Sequence, residues 1–263
     1  MNQKIPTPEK PALLSKERKV LTVAIVIALT NGLNSFADLA TNYLYKDDYQ
    51  LTPAQASGAA SFIMLPWLIK PCWGLISDNY VLFGYRRKSY VIIMGFIGFI
   101  SYLILGIWSK TIHSGIFLLF FTAVAFAFQN VIGEALLVES AQRFGAQPGR
   151  TEEEKQKQAS ENVSTFFGVR HFGMIITVYT GGLLLEYITK QQIFLIASTL
   201  PLIAGLFAFI LPENKKHNAQ ENSTPKSLQE DEEEIRPIKE EDEITETEIS
   251  ANNQTLFLRL HFQ

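Results

Sequence analysis

The chain has 263 residues, of which 47% are hydrophobic and one is a cysteine, and its net charge is −3. A single cysteine, Cys72, has no partner within the chain, which excludes a secreted domain held together by disulfides. The basic residues lie in short clusters between long apolar runs rather than along one face, a distribution that disfavours binding to nucleic acid.

Charge and apolar residues are distributed unevenly along the chain. Residues 1–216 contain 19 Lys and Arg against 14 Asp and Glu, whereas residues 217–263 contain 4 against 12. The apolar runs lie in the first part, and the polar residues before the first run are unlike a signal peptide. The sequence therefore predicts an all-α integral membrane protein with a basic cytosolic N-terminus (1–19), a six-helix bundle (20–212) and a disordered acidic cytosolic tail (213–263).

Six stretches approach the length of about 20 apolar residues that a helix needs to cross the hydrocarbon core. These spans 1 to 6 are predicted at residues 20–44, 52–76, 90–108, 114–138, 162–186 and 191–211. Span 5 is the least regular, because Arg170 and His171 interrupt it. Spans 3 and 6 carry no charge, so we expect them to face lipid over much of their surface, and Gly95 and Gly98 predict close packing of span 3 on a neighbour.

Basic residues in the loops predict the orientation of the bundle. Within residues 1–216, the segments outside the spans on one side carry fourteen Lys and Arg, whereas those on the other side carry only Lys46, Lys110 and Lys190. Because short basic loops remain in the cytosol, both termini are predicted to be cytosolic.

Polar side chains recur along one face of span 1. They are spaced i, i+3, i+4, i+7 and i+11 and consist of Asn31, Asn34, Ser35, Asp38 and Asn42. This pattern favours a face that lines a cavity, and polar contacts between helices are the alternative. For Asp38 three roles remain open: proton coupling, binding of a cationic group, and simple hydration.

Three further charged residues are predicted to share a layer. Counted from the cytosolic ends of their helices, Lys70 lies roughly 9 Å deep, Glu134 roughly 6 Å and Arg170 roughly 12 Å. These charges can neutralise one another, with Asn130 nearby, either as a structural contact or as part of the substrate path. Asp38, roughly 27 Å from the same side, is too far away to join them directly. Pro66 and Pro71 predict a bend in span 2.

The turn between spans 2 and 3 contains a second set of candidate residues, namely Gly74, Asp78, Gly84, Arg86, Arg87 and Lys88. A carboxylate that ends one helix can form charge-assisted hydrogen bonds with guanidinium groups that precede the next. In a transporter, such contacts of a cytosolic gating loop can be formed in one state and broken in the other. The alternative is that its basic residues only fix the orientation.

This turn resembles the loop signature of the major facilitator superfamily, in which Gly is followed by Asp four residues later and then by Gly and a basic pair. With its longer spacing and the preceding PWLIKPCWG at 66–74, it is similar to the folate–biopterin transporter family. Similar segments are LTPA at 51–54, NVIGEALLVE at 130–139, and Arg170 with Gly181 and Gly182, so that the resemblance covers residues 20–212.

The resemblance implies twelve helices in two six-helix halves that move around a central site by alternating access, with spans 3 and 6 at the periphery. It implies a folate, biopterin or related pterin as the solute, usually with proton coupling. The chain departs from the family pattern at Asn79–Val81, where a Pro is usual, and on span 4, where the family usually has two Asp and this chain has Asn130 and Glu134. An amide at Asn130 cannot exchange a proton as Asp does.

The acidic tail stands where a full transporter would have the linker to its second half. Its runs of Glu and Asp at 230–234 and 240–243 are typical of a disordered, solvated segment. Three interpretations remain open: a truncated gene model, a half-transporter that works as a dimer, and a residual fragment without transport.

The leading functional hypothesis is a secondary transporter, or its N-terminal half, for a folate- or pterin-like solute. Its expected partners are that solute, the lipid bilayer, and a second half or a second copy of the chain. The alternative is a non-transporting membrane scaffold or assembly subunit. An enzyme is disfavoured and no cofactor or metal is predicted, because the sequence has no phosphate loop or nucleophile constellation and its four His show no metal-ligand spacing.

Overall fold

The computed structural model describes residues 10–108, 111–147 and 149–213, with side chains from Ser15 onward. Within these ranges the chain forms helices and no β-strand, which confirms the prediction of an all-α membrane protein. The predicted acidic tail lies outside the described residues, apart from Glu213 at its start.

Each predicted span corresponds to one or more helices. Span 1 is formed by α1 (Lys10–Leu33), α2 (Ser35–Tyr43) and a short π-helix (Leu44–Asp48). Span 2 is formed by α3 (Pro53–Leu68) and α4 (Lys70–Asn79). Spans 3 to 6 are α5 (Lys88–Trp108), α6 (Ile112–Gly145), α7 (Glu152–Tyr187) and α8 (Lys190–Phe207), and a 3-10 turn (Ala208–Ile210) follows α8.

Five helical segments of the described chain are long and apolar enough to cross a membrane: Ser15–Asp48, Pro53–Asn79, Lys88–Trp108, Ile112–Gly145 and Lys190–Ile210. The remaining long helix, α7, has 36 residues but is less apolar than the others. It starts ten residues before predicted span 5, because Thr151 and Glu154 form a capping box that begins the helix in the polar segment. α7 packs along both α1 and α6, within the same bundle as the five apolar segments.

Span 2 is broken where its two prolines predict a bend. α3 ends at Leu68 and α4 begins at Lys70, with Ile69 between them outside helical geometry. The indole N–H of Trp73 donates to the carbonyl oxygen of Pro66 at 2.8 Å and so bridges the break. Lys70 is therefore held at the first turn of α4, deep within span 2.

Helices α5 and α8, which form spans 3 and 6, pack closely against each other, as Gly95 and Gly98 predict. A Cβ atom on Gly95 would lie 2.7 Å from the carbonyl oxygen of Pro201 and 2.9 Å from the Cα of Gly205. The fully buried Gln129 of α6 donates to the carbonyl oxygens of Val91 and Pro201, both at 3.2 Å. Gln129 therefore ties three helices together and has a structural role.

A second close crossing joins α1 to α7. A Cβ atom on Gly32 would overlap the carbonyl oxygen of Arg170 and lie 2.9 Å from its carbonyl carbon. On the facing side, the hydroxyl of Thr177 donates to the carbonyl oxygen of Gly32 at 3.3 Å and to that of Gly173 at 2.9 Å. The backbone that carries Arg170 is thus positioned by direct contact with α1.

Candidate functional site

A cavity of about 230 Å³ lies between α2, α3, α5 and α6. Its polar lining comes from residues on span 1 together with one side chain each from α5 and α6. These polar residues are Asn34, Asp38, Thr41, Asn42, Tyr45, Tyr102 and Thr122. The opposite wall is formed by apolar residues of α3, among them Met64 and Trp67. This space, which we call the Asp38 cavity, is polar on one side and apolar on the other.

The carboxylate of Asp38 is exposed to this cavity. It makes no hydrogen bond or ion pair with any residue in the described part of the chain. Its neighbour Asn34 is oriented by Tyr102, whose hydroxyl donates to Asn34 Oδ1 at 2.8 Å. The cavity therefore presents an acceptor group that the protein itself does not use.

The polar face predicted on span 1 divides into two parts. Asn34, Asp38 and Asn42 line the cavity. Asn31 does not: it is 8% exposed, and its amide donates to the carbonyl oxygen of Ile27 one turn earlier at 2.9 Å. The break between α1 and α2 falls after Leu33, so the helical face that contains Asp38 does not continue regularly to Asn31.

The structure brings Lys70, Glu134 and Arg170 into one layer. Lys70 Nζ lies 3.0 Å from Glu134 Oε1, and the Asn130 amide donates to the same carboxylate oxygen at 2.6 Å. Arg170 joins through Asn130, because its Nη1 donates to Asn130 Oδ1 at 3.4 Å. Among the described residues no carboxylate lies within 4.0 Å of the Arg170 guanidinium.

The amide at position 130 explains how this layer is connected. Asn130 is fully buried, and it donates to a carboxylate on one side while it accepts from a guanidinium on the other. An ionised Asp there would be an acceptor only and would face Glu134 as a second negative charge. The amide of Asn130 therefore serves both neighbours, which an ionised carboxylate at this position could not do.

Trp67 connects the charged layer to the Asp38 cavity. Its side chain lines the cavity, and its ring centroid lies 5.3 Å from Arg170 Cζ and 5.7 Å from Lys70 Nζ. Both distances are within the range of cation–π attraction. We call this group of side chains the Arg170 cluster; it consists of Trp67, Lys70, Asn130, Glu134 and Arg170. With two cations and one carboxylate, it has one positive charge in excess.

The predicted gating loop forms an ion-pair network with α6. Asp78 Oδ1 accepts from Nη2 of Arg86 at 2.8 Å and from Nη2 of Arg87 at 3.4 Å. Arg87 Nη1 also lies 2.9 Å from Glu139 Oε2. Gly84 closes the turn with a positive φ of 80°, and at Gly74 a Cβ atom would lie 3.7 Å from Val131 of α6. The network thus joins the ends of spans 2, 3 and 4.

Two carboxylates that were not among the predicted site residues, Glu139 and Glu213, make further contacts on this side of the bundle. Glu139 pairs with Arg87 as described. Glu213 accepts from the backbone N–H groups of Arg86, Arg87 and Lys88 at 2.7 to 3.1 Å. A carboxylate at the unpaired N–H groups of a helix start is stabilising, so Glu213 holds the chain after span 6 against the start of α5.

At the other end of the bundle, an ion pair joins span 1 to span 6. Lys190 Nζ lies 2.7 Å from Asp48 Oδ1 and 3.6 Å from Asp47 Oδ2. These carboxylates do not line the Asp38 cavity.

The sequence of the chain is similar to those of known proteins. The model of the BT1 family matches residues 31–257 of the chain. The chain belongs to the BT1 family. This membership, together with relatives that are named as folate or biopterin transporters, confirms the resemblance predicted from the sequence. The names are those of transporters, in agreement with the prediction that the chain is not an enzyme.

Several relatives of this BT1 family member are similar over most of the chain. Folate transporter 1 of Plasmodium falciparum is 37% identical over 193 residues, which are 73% of this chain and 36% of that protein. The folate–biopterin transporter of Synechocystis sp. is 33% identical over 208 residues, or 79% of this chain and 40% of that protein. Folate transporter 2 of P. falciparum is 30% identical over 216 residues, which are 81% of this chain and 45% of that protein. The chain therefore spans less than half the length of the curated relatives it matches.

Two aromatic residues of the BT1 family member's site were not predicted as site residues. Trp67 stands three residues before Lys70, a spacing that would place both side chains on one face of an unbroken helix. Tyr102 lies on span 3, which was expected to face lipid over much of its surface, yet it is 3% exposed and reaches the cavity. Its hydroxyl is one of the few polar groups of span 3, and this was the signal that the sequence offered.

Proposed function

We propose that this BT1 family member is a secondary transporter, or the N-terminal half of one, that moves a folate- or pterin-like solute across a membrane by alternating access. The observation that carries the proposal is the Arg170 guanidinium, which faces Trp67 next to a polar cavity and has no carboxylate partner in the described part of the chain. The names of the relatives support the class of solute.

The chemistry of the Arg170 cluster suits a planar anion. Folates carry carboxylates, and a guanidinium can bind a carboxylate through two parallel N–H···O bonds. The indole of Trp67 offers a flat surface for an aromatic ring beside these cations. Because charges attract more strongly away from bulk water, one excess positive charge inside the bundle favours binding of an anionic solute.

In this proposal all six spans, including α7, cross the membrane and both termini are cytosolic. The ion-pair network of Asp78, Arg86, Arg87 and Glu139 then lies at the cytosolic surface, where it can hold span 2 against spans 3 and 4 in one state. Proton coupling is part of the proposal, and Asp38 and Glu134 are the carboxylates that can carry the proton.

A second six-helix half is the proposed partner of this bundle, supplied by a longer form of the protein or by a second copy. Two outer faces are available for it, because α3, α4 and α7 expose large apolar side chains. These include Leu68, Leu75, Phe172, Ile175 and Tyr179. Lipid can cover the same faces, so the partner is proposed on the ground that the named relatives are more than twice as long as the matched region.

Binding of folate to the purified protein in lipid nanodiscs tests this function against that of a non-transporting scaffold. A ligand that binds only the folded state raises its stability by mass action, so the melting temperature should rise with the folate concentration. Biopterin should act in the same direction. If neither folate nor biopterin changes the melting temperature at any concentration, the transporter proposal is contradicted and the scaffold remains.

A further inference from the structure

We propose that the Asp38 cavity and the Arg170 cluster are two subsites that hold opposite ends of one solute. The cavity receives a flat heteroaromatic ring with adjacent N–H donors, of the 2-amino-4-oxopteridine class, and the cluster receives the carboxylate end. This inference rests on the proposed function and adds to it the polarity with which the solute is bound.

Asp38 has the chemistry to recognise such a ring. An ionised carboxylate only accepts hydrogen bonds, and Asp38 has no donor among the described residues. An amino group beside a ring N–H presents two parallel donors, which match the two oxygens of a carboxylate in the same way as a guanidinium does. The Asn34 amide oxygen already accepts from Tyr102, which leaves its NH2 group to donate to a ring acceptor.

The two subsites are adjacent because Trp67 belongs to both of them. It lines the Asp38 cavity, and its ring also faces the cations of Lys70 and Arg170. A ring stacked on Trp67 can therefore reach Asp38 while a substituent of that ring extends toward Arg170. The arrangement of charges fixes the direction, since a carboxylate beside Asp38 would be repelled and one beside the excess positive charge of the cluster would be attracted.

Two fragments of folate separate the subsites experimentally. Biopterin has the ring and no carboxylate, whereas p-aminobenzoylglutamate has the carboxylates and no pteridine ring. Affinities for both are measured with the protein in nanodiscs. We expect Asp38→Asn to lower the affinity for biopterin by about tenfold or more, which is the effect of one lost hydrogen bond to a charged group. The affinity for p-aminobenzoylglutamate should fall by much less. Arg170→Gln should have the reverse selectivity.

Asp47→Asn is the matched control for Asp38→Asn. It makes the same change in the same span, but Asp47 lies beside Lys190 outside the cavity, so both fragments should bind as they do to the wild type. The inference is overturned if Asp38→Asn weakens the binding of both fragments equally, or weakens only the binding of p-aminobenzoylglutamate. If the wild-type protein binds neither fragment nor folate, the proposed function itself has failed.

The wild-type protein also provides a test that needs no variant. If the subsites are separate, saturating biopterin should leave room for p-aminobenzoylglutamate, while folate should compete with both fragments. Mutual exclusion of the two fragments would mean that they share one site and would overturn the inference, even where folate binding supports the proposed function.

Discussion

Arg170→Gln is expected to lower the affinity of the protein for folate by about 10- to 100-fold, since a hydrogen bond to a charged group contributes about 1.5–3 kcal/mol. The melting temperature without ligand should change less than affinity does, because Arg170 has no carboxylate partner among the described residues and its hydrogen bond to Asn130 is long, at 3.4 Å. Affinity is measured in nanodiscs by titration calorimetry, and the amount of protein in the membrane is measured by blotting.

Arg150→Gln is the control for this variant. Arg150 pairs with Glu154 at the exposed start of α7, at 3.3 Å, and is remote from the Arg170 cluster in sequence and in contacts. It should bind folate with wild-type affinity. An unchanged affinity of Arg170→Gln would remove Arg170 from the binding site and leave its guanidinium a structural role beside Trp67.

Arg170 gives a cleaner test than Lys70, which lies in the same layer. Lys70 forms an ion pair with Glu134 at 3.0 Å, and the two side chains are only 28% and 35% exposed. Its removal would leave a partly buried carboxylate without a charged partner, which destabilises the protein whether or not Lys70 contacts the solute. The loss of folate binding could then follow from altered structure, whereas Arg170 separates the two effects.

Gly32→Ala is expected to destabilise the protein by about 1–3 kcal/mol, the usual cost of overpacking. The added methyl group would overlap the carbonyl oxygen of Arg170, which is backbone and can move away only if α7 shifts. Because that shift displaces Arg170 from Trp67 and Asn130, folate affinity should fall together with the melting temperature. Both quantities can be followed in one thermal titration.

Gly58→Ala provides the comparison, since nothing lies within 4 Å of a Cβ atom at that position of α3. It should retain both stability and folate affinity. If Gly32→Ala proved as stable as Gly58→Ala, the close crossing of α1 and α7 would not position Arg170.

The helices and the break in span 2 could be predicted largely from the sequence. Apolar length locates the five most hydrophobic segments, and two prolines locate the break in span 2. Lys70 and Glu134 could be placed in one layer from depth alone, because a helix rises by a constant amount per residue. Side chains that meet across helices depend on rotation as well as depth, which the sequence of a single chain does not supply.

The less predictable features are those in which one side chain serves two neighbours. From the sequence, Asn130 stands where the family has a proton-exchanging Asp. Its amide instead joins a cation to a carboxylate, and this role can be recognised only when the positions of both partners are known. Asn31 fitted the polar face of span 1 by spacing, yet the break after Leu33 and its bond to Ile27 keep it from the cavity. Trp67 was recognisable as part of a motif, but its place between the cavity and the cations follows only from the fold.

The central claim is that this protein carries a folate-like anion across the membrane through the Arg170 cluster. Counterflow in liposomes is the most direct test of this claim. Liposomes that contain the protein are loaded with unlabelled folate and diluted into labelled folate. The proposal predicts transient accumulation of the label above its equilibrium level with the wild-type protein and none with Arg170→Gln. Transport would be contradicted if labelled folate bound to the wild-type protein but accumulated inside these liposomes no more than inside protein-free liposomes.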